Sequence, residues 1–217
     1  MYADAWQELA KALSCLGRFA EARDAAQRAI DLPRMAEANR ASTSRRLERC
    51  KQLVAIESRL PAILAEQELP SDVATQRALA EWLYKDKKLN YASARLYAAV
   101  FAKQPSLADD LVTQNRIDAA CAAALAGCGM GADAASLDDA KKTELRKQAL
   151  AWFKAERDAW AIRQSKGTIA EQLSVAAAVR ALQSNGDLAC LRDQGWNWRI
   201  PGLPSSQSWR LHSSGCR

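Results

Sequence analysis

The sequence predicts an all-helical fold built from short helix pairs, and three observations support this prediction. Apolar side chains recur at spacings of three and four residues along most of the chain, as in amphipathic helices. Gly and Pro, which disfavour helix interiors, number only 9 and 6 among 217 residues. Much of the 49% hydrophobic content is alanine, the strongest helix former. We therefore expect a short right-handed α-solenoid of helix pairs, ended by a capping helix and without a sheet.

The first 34 residues predict two helices around a break. The first helix has an apolar stripe formed by Trp6, Leu9, Ala10, Leu13 and Leu16. Gly17 follows the stripe directly and ends this helix, as glycine commonly does. The second stripe consists of Phe19, Ala22, Ala26, Ala29 and Ile30, and Leu32-Pro33 closes it. Residues 1–34 therefore have the length of one helical repeat.

Later segments predict a less regular array. Residues 35–69 lose this repeat length, and their pattern predicts one long connecting helix that breaks at Pro61. Residues 70–165 predict two further helix pairs, with Ser71 or Asp72 as the first N-cap and an extended loop at 127–139. Residues 166–193 predict the capping helix, and 194–217 an irregular tail.

The first segment resembles the tetratricopeptide repeat. The positions that carry this resemblance are Trp6, Leu9, Ala10, Leu13, Leu16-Gly17, Phe19, Glu21-Ala22, Ala29 and Leu32-Pro33. Ala26 departs from the pattern, since an aromatic residue is common there. The resemblance implies a helix pair whose first helix lines a concave groove, in which an extended or helical peptide of another protein would lie.

A second resemblance covers roughly residues 45–193. Three runs, which begin at Tyr91, Asp118 and Arg146, are similar to the repeat-bearing C-terminal region of bacterial receptor-like serine/threonine protein kinases. The sequence contains no kinase strand lysine motif, no His-Arg-Asp and no Asp-Phe-Gly, so it predicts no phosphoryl transfer. The resemblance implies a detached accessory region that recognises a kinase or its substrates. A free-standing adaptor and a gene remnant remain open alternatives.

The residues that catalysis or cofactor binding would need are missing from the pattern. His212 is the only histidine and lies in the tail, so no base is available for nucleophilic chemistry and no zinc site is predicted. The string Gly127-Cys-Gly-Met-Gly131 follows an alanine-rich helix, whereas a phosphate-binding loop should follow a strand. The string is therefore predicted to cap the preceding helix and to form a connecting segment. We expect a protein that is not an enzyme and binds no cofactor and no metal.

A candidate binding surface follows from the predicted groove. It consists of the outward residues of the first helix together with one residue of the third pair: Asp4, Gln7, Lys11, Ser14 and Asp118. A protein or peptide is the expected partner. Tryptophans often dominate protein interfaces, so the tail offers a second candidate with Trp196, Trp198 and Trp209. Trp6, Trp82, Trp152 and Trp160 lie on apolar stripes and are expected in the core.

The chain is basic, with a formal net charge of +6. Part of the excess lies in the predicted helix at 34–59, which includes Arg34, Arg45, Arg46, Arg49 and Lys51. A solvated helix face is the favoured interpretation. Phosphate contacts to nucleic acid are the lesser alternative, because no aromatic residues are interleaved with these charges.

The cysteine pattern predicts a reducing compartment. Six cysteines are scattered without a C-x-x-C pair, and Cys121 and Cys128 are expected to be small buried residues that do not bridge each other. The N-terminal residues do not form a secretory signal, and no apolar run is long enough to span a bilayer. We therefore expect a cytoplasmic protein without a membrane span.

Overall fold

The structure, a computed structural model, describes residues 3–33, 35, 37–110 and 113–183. Within these ranges all regular structure is helical and no strand occurs, which confirms the all-helical fold class. The chain divides into two compact units, Met1–Lys88 and Leu89–Arg217. Arg34, His212 and the tail tryptophans lie outside the described residues, so what the sequence predicts for them stays a prediction.

The described part of the first unit contains five α-helices in chain order. These are α1 (Ala3–Leu16), α2 (Phe19–Asp31), α3 (Glu37–Leu53), α4 (Leu60–Leu64) and α5 (Val73–Trp82). A 3-10 segment, Val54–Arg59, joins α3 to α4, and a π-helical turn, Leu83–Lys87, extends α5. Helix α2 packs against both α1 and α3, and α3 packs against α5.

The turn between α1 and α2 confirms the predicted break at Gly17. The backbone N–H of Gly17 donates to Ser14 O over 3.1 Å, and that of Arg18 donates to Leu13 O over 3.0 Å. This pair of bonds is a Schellman cap, and Gly17 takes the left-handed conformation that the cap needs, with φ 81°. Beyond the turn, α2 buries an alanine-rich face formed by Phe19, Ala22, Ala25, Ala26 and Ala29.

Two residues of the predicted stripe on α1 are not buried. Leu9 and Leu16 are 43% and 66% exposed. The buried residues of α1 are Ala3, Ala10, Leu13 and Ser14. The buried face is therefore rotated away from Leu9 and Leu16, because the neighbouring helices cover only one side of a wider apolar stripe.

The segment predicted as one long helix broken at Pro61 has its break earlier. Helix α3 ends at Leu53, and the 3-10 segment follows before Pro61. Pro61 lies in the first turn of α4, where a missing N–H costs nothing. Asp72 begins α5, because its carboxylate accepts from the backbone N–H of Thr75 over 2.7 Å. The N-cap predicted at Ser71 or Asp72 is thus Asp72.

The described part of the second unit contains four α-helices. These are α6 (Asn90–Lys103), α7 (Asn115–Gly127), α8 (Asp139–Lys166) and α9 (Ile169–Gln183). Helices α6 and α8 both pack against α7, and all residues of α7 are buried. Helices α5 and α6, which the sequence places in one pair, belong to different units. No helix in the described ranges is both long enough and apolar enough to span a bilayer.

The glycine-rich connection after α7 ends one helix and supports the start of another. Gly129, with φ 73°, closes α7 through a bond from its N–H to Ala126 O of 2.9 Å. The same connection then reaches α6, where Asn90 Nδ2 donates to Met130 O over 2.8 Å and Asp133 accepts from the backbone N–H of Ala92 over 2.9 Å. The predicted capping role of the glycine string is confirmed.

Helix α9 is only partly covered. It buries Val175, Val179 and Leu182, which lie on one face. Ile169 and Leu173, apolar residues of the same helix, are 77% and 64% exposed. The stripe therefore predicts the helix but not the extent of its contact with α8, against which it packs.

Candidate functional site

The predicted binding residues differ widely in their accessibility. Asp4 and Lys11 are exposed, and Lys11 Nζ lies 3.7 Å from Glu8. Gln7 is half-buried, while Ser14 is fully buried and Asp118 is 9% exposed. The first four lie in one unit and Asp118 in the other. Asp4, Gln7 and Lys11 therefore stay candidates for contact with a partner, whereas burial closes Ser14 and Asp118 to direct contact.

Ser14 is buried because it belongs to the core of the first unit. Its carbonyl oxygen accepts a hydrogen bond of 2.7 Å from the indole N–H of Trp82. The Trp82 ring also meets Phe19 edge-on, with ring centroids 5.0 Å apart. Of the tryptophans expected in the core, Trp82 and Trp160 are 1% exposed, and Trp6 and Trp152 are half-buried.

Much of the basic stretch in α3 is used in ion pairs within the first unit. Arg49 lies 2.5 Å from Asp86 and 3.5 Å from Glu81, and its side chain is 9% exposed. Arg46 lies 3.8 Å from Asp86. Two of the cations offered as a phosphate-binding surface thus join α3 to α5 and its π-helical extension. The partners of Arg46 and Arg49 are remote in sequence. The favoured interpretation of the basic stretch as a solvated helix face is therefore wrong for these two arginines.

The pKa of the Glu81 carboxyl group depends on the cations around it. Burial acts to raise its pKa, but Lys85, Arg49 and Arg77 together outweigh burial, and the pKa lies below its usual value. The charged carboxylate is thus the form that the folded chain favours. This cluster of charges therefore joins α3 to α5 and its extension through several cations that share the carboxylates of Glu81 and Asp86.

A groove between α6 and α8 is the candidate functional site. It encloses a cavity of about 190 Å³. The α6 wall consists of Tyr91, Ala94, Arg95 and Ala98, which recur at helical spacing. The two alanines leave open space between Tyr91 and the middle of the helix, because their side chains are too small to fill it. The groove therefore exists because the helices do not interdigitate here.

The α8 wall combines charged, polar and apolar side chains. It consists of Lys141, Glu144, Leu145, Gln148 and Trp152. Lys141 Nζ lies 3.0 Å from Glu144 and 6.0 Å from the centre of the Tyr91 ring, so it reaches across towards α6. Trp152 meets Phe101 edge-on, with centroids 5.7 Å apart. An aromatic ring from each helix thus lies in the lining.

The two walls are held in place by α7, which packs against both helices. The two helices approach closely at Gly127, since a Cβ atom there would lie 3.0 Å from both Arg146 N and Lys142 O. Arg146 Nη1 donates to Gly127 O over 2.5 Å. Only glycine lets α8 pass α7 at this distance, and the contact fixes the segment of α8 that lines the groove.

A buried ion pair joins α7 to α8 further along. Arg116 Nη1 lies 3.0 Å from Glu156, whose side chain is 6% exposed, and Arg116 also pairs with Asp109. Burial raises the pKa of Glu156, although Arg116 and Arg163 oppose this effect. Asp118 shares this inner helix with Arg116. The sequence missed the pair of Arg116 with Glu156 because Glu156 lies on another helix, 40 residues away in the chain.

The cysteines differ from the prediction at one position. Cys15, Cys50 and Cys121 are free thiols, and burial raises the pKa of Cys50. Cys128 is half-buried and disulfide-bonded, so its predicted role as a buried free residue is wrong. Cys121 is buried and does not bridge Cys128, as expected. A disulfide is rare in the cytosol, and Cys128 therefore does not fit the expected reducing compartment.

Among the described residues, no cluster of His, Cys, Asp and Glu side chains is suited to a metal ion. Within the described part of the chain, the groove between α6 and α8, with its charged, polar and aromatic lining, is taken as the candidate site. A comparison of this chain with protein families, with curated proteins and with solved structures finds no match.

Proposed function

We propose that this chain is a non-catalytic protein–protein interaction module of the tetratricopeptide-repeat type. The observation that carries the interaction function is the groove between α6 and α8, whereas the repeat type rests on the resemblance of residues 1–34. The groove is lined by the second helices of the predicted pairs and not by the first helices that the resemblance implies. Its cavity of about 190 Å³ is smaller than the roughly 300–1,000 Å³ of small-molecule and cofactor sites. Its charged, polar and aromatic lining suits short stretches of a protein chain.

The first unit supports the same proposal. Helices α1 and α2 form a tightly capped pair with a buried alanine face, as the resemblance to the repeat implies. The exposed residues Asp4 and Lys11, with half-buried Gln7, provide a second polar surface for a partner. The proposal includes the right-handed, solenoid-like stacking of helix pairs that the resemblance implies.

An accessory role beside a serine/threonine protein kinase is the second candidate. The specific observation in its favour is that two of the runs that resemble such kinases, beginning at Tyr91 and at Arg146, fall on the two helices that line the groove. In this case the groove would recognise the kinase or its substrates. Nucleic acid is less favoured, because Arg46 and Arg49 are engaged with Asp86.

Affinity purification of the tagged full chain from its native cell tests the proposal, with partners identified by mass spectrometry. The Ala98→Trp variant fills the groove, and the Gln7→Ala/Lys11→Ala variant changes the polar face of α1. We expect at least one partner to be lost from one of the two variants and kept by the other. Recovery of every captured protein at equal yield with the unchanged chain and both variants would contradict the proposal.

Kinase association is read from the same experiment. A kinase or its substrates that disappear with Ala98→Trp would support the accessory role.

Small-angle X-ray scattering of the full chain tests the proposed solenoid-like stacking of helix pairs, because a solenoid of stacked helix pairs is more elongated than a globule of the same mass.

A further inference from the structure

We infer that the segment 199–204 of the chain's own tail occupies the groove between α6 and α8, and that the disulfide of Cys128 holds the tail beside it. The inference rests on the proposed function, because the same groove binds the partner, and it adds a competitor from within the chain. The segment lies outside the described residues, and its sequence and its attachment to Cys128 carry the inference.

The disulfide of Cys128 connects the segment after α7 to the C-terminal part of the chain. Three of the six cysteines form no disulfide: Cys15, Cys50 and Cys121. Cys128 is disulfide-bonded, so Cys190 and Cys216 remain as its partners within the chain. These two cysteines flank the segment 199–204 in the sequence. Either pairing therefore ties the chain next to this segment to the end of α7.

Cys128 lies next to one end of the groove. Further along the same connection, Asp133 accepts a hydrogen bond of 2.9 Å from the backbone N–H of the residue that follows Tyr91 in α6. Tyr91 is the first lining residue of that helix. On the other side, a Cβ atom at Gly129 would lie 3.5 Å from Cε of Lys142, which follows a lining residue of α8. The disulfide is thus placed where both walls of the groove begin.

The chain is long enough to bring the segment into the groove from either cysteine. The segment 199–204 begins nine residues after Cys190 and ends twelve residues before Cys216. An extended chain spans at most about 3.3–3.6 Å per residue, so nine residues reach about 30 Å. The groove wall from Tyr91 to Ala98 is only about 10 Å long. Both pairings therefore allow the segment to lie along the whole wall.

The sequence of 199–204 suits an aromatic groove. It reads Arg-Ile-Pro-Gly-Leu-Pro, so Pro201 and Pro204 are three residues apart. Prolines at this spacing favour the extended polyproline II conformation and dock in grooves lined by aromatic side chains. Tyr91 and Trp152 supply one ring from each wall, around a cavity of about 190 Å³. The match depends on shape and apolar contact.

Peptide mapping tests the pairing of Cys128. The full chain purified under air is alkylated in denaturant, digested without a reductant and analysed by tandem mass spectrometry. We expect Cys128 to be linked to Cys190 or Cys216 within a monomer. Alkylation of Cys128, or its linkage to another copy in a covalent dimer, would overturn the inference.

NMR of the full oxidised chain labelled with ¹⁵N tests the occupancy of the groove, with the Trp152 indole N–H as the reporter. Trp152→Phe assigns this signal. Pro201→Ala/Pro204→Ala should shift it, because the prolines contact the groove. Ser205→Ala/Ser206→Ala makes two changes just beyond the segment and should leave it in place. An unshifted signal in the proline variant would overturn the inference.

A synthetic peptide of residues 197–207 measures whether the groove is already filled. It should bind the Pro201→Ala/Pro204→Ala variant at least about tenfold more tightly than the unchanged chain, because a tethered segment competes at about millimolar effective concentration. Cys128→Ser removes the tether and should raise the affinity about threefold or more. Cys15→Ser, in the first unit, should leave the affinity unchanged.

Added bulk locates the bound peptide. In the Pro201→Ala/Pro204→Ala background, Ala98→Trp should weaken peptide binding by about tenfold or more, because the indole fills the groove. Ala177→Trp is the matched control, since it adds the same bulk at an exposed position of α9 outside the lining. Equal binding to these two variants would place the peptide elsewhere and overturn the inference.

The outcomes separate this inference from the proposed function. Equal affinity of the peptide for the unchanged chain and the proline variant would show an open groove and overturn the inference. A Trp152 signal that changes with protein concentration would assign the segment to a second copy and would also overturn it. The interaction function would still stand if native partners responded to the groove or α1 variants in affinity purification, and it would fall if none responded.

Discussion

The indole N–H of Trp82 and the carbonyl oxygen of Ser14 form a hydrogen bond of 2.7 Å, although 68 residues separate them in the chain. The bond joins the end of α5 to the last turn of α1. Trp82 is 1% exposed and also contacts Phe19 of α2, so a single side chain holds three helices together.

Replacing Trp82 by Phe should destabilise the first unit by about 1–3 kcal/mol, through the lost hydrogen bond and a small cavity. Urea denaturation followed by circular dichroism measures this change. Trp6→Phe is the matched control, and it should cost less because Trp6 is only half-buried. An equal loss in the two variants would show that the bond to Ser14 contributes nothing measurable.

Replacing Gly17 by Ala should cost about 1–2 kcal/mol, because Ala disfavours the left-handed conformation that the turn requires. Space is not the reason, since an added Cβ would lie 3.6 Å from Leu60 Cδ1, an ordinary contact. Gly17→Asn should cost less, because Asn tolerates this conformation better. The midpoint of urea denaturation distinguishes the two variants, and equal midpoints would contradict the explanation.

Replacing Glu81 by Gln should lower the free energy of unfolding near pH 7 by about 1–3 kcal/mol, less than the ~3–5 kcal/mol of a fully buried broken pair. The folded pKa of Glu81 is lowered, so its stabilising effect is complete above the pKa of an unfolded glutamate, roughly 4.3. That effect is lost as the pH falls through the lower folded value. The difference between the unchanged chain and the variant should therefore shrink in acid.

Urea denaturation at a series of pH values from neutral to acid measures this difference. Glu48→Gln is the control, because Glu48 forms an exposed pair with Lys51 at 2.7 Å, and such pairs contribute about 0–1 kcal/mol. A difference for Glu81→Gln that stayed constant across the acid range would contradict the lowered pKa.

Cysteine labelling should separate the thiols into classes. In the folded chain purified under air, iodoacetamide should modify half-buried Cys15 first, and Cys50 more slowly, because Cys50 is buried and its pKa is raised. Cys128 should react only after reduction. Mass spectrometry of the alkylated peptides gives the order. Modification of Cys128 without a reductant would show that its disulfide does not form.

The helical pattern predicted the helices and the break at Gly17, because both depend on local spacing. It could not predict that Leu9 and Leu16 are exposed, since the apolar stripe of α1 is wider than the surface its neighbours cover. The pairing of Arg49 with Asp86 connects residues 37 positions apart and has no local signal.

The groove was missed for a different reason. Its lining residues share the helical spacing of core residues, so the position of Trp152 suggested burial alone. The inner helix did carry a usable signal: α7 is apolar almost all round, and such helices are buried on every side. That pattern predicts neighbours on every side of α7, but not the open space between two of them.

The complete burial of α7 separates the packing of the second unit from the surface chemistry of the groove. Substitutions in Asn115–Gly127 act on packing, whereas changes at exposed Ala98, Glu144 or Gln148 alter the groove and leave the inner helix untouched. The lining of the groove can therefore be redesigned by changing only a few surface positions. A library randomised at these three residues should remain folded, which makes this unit a suitable scaffold for engineered binding.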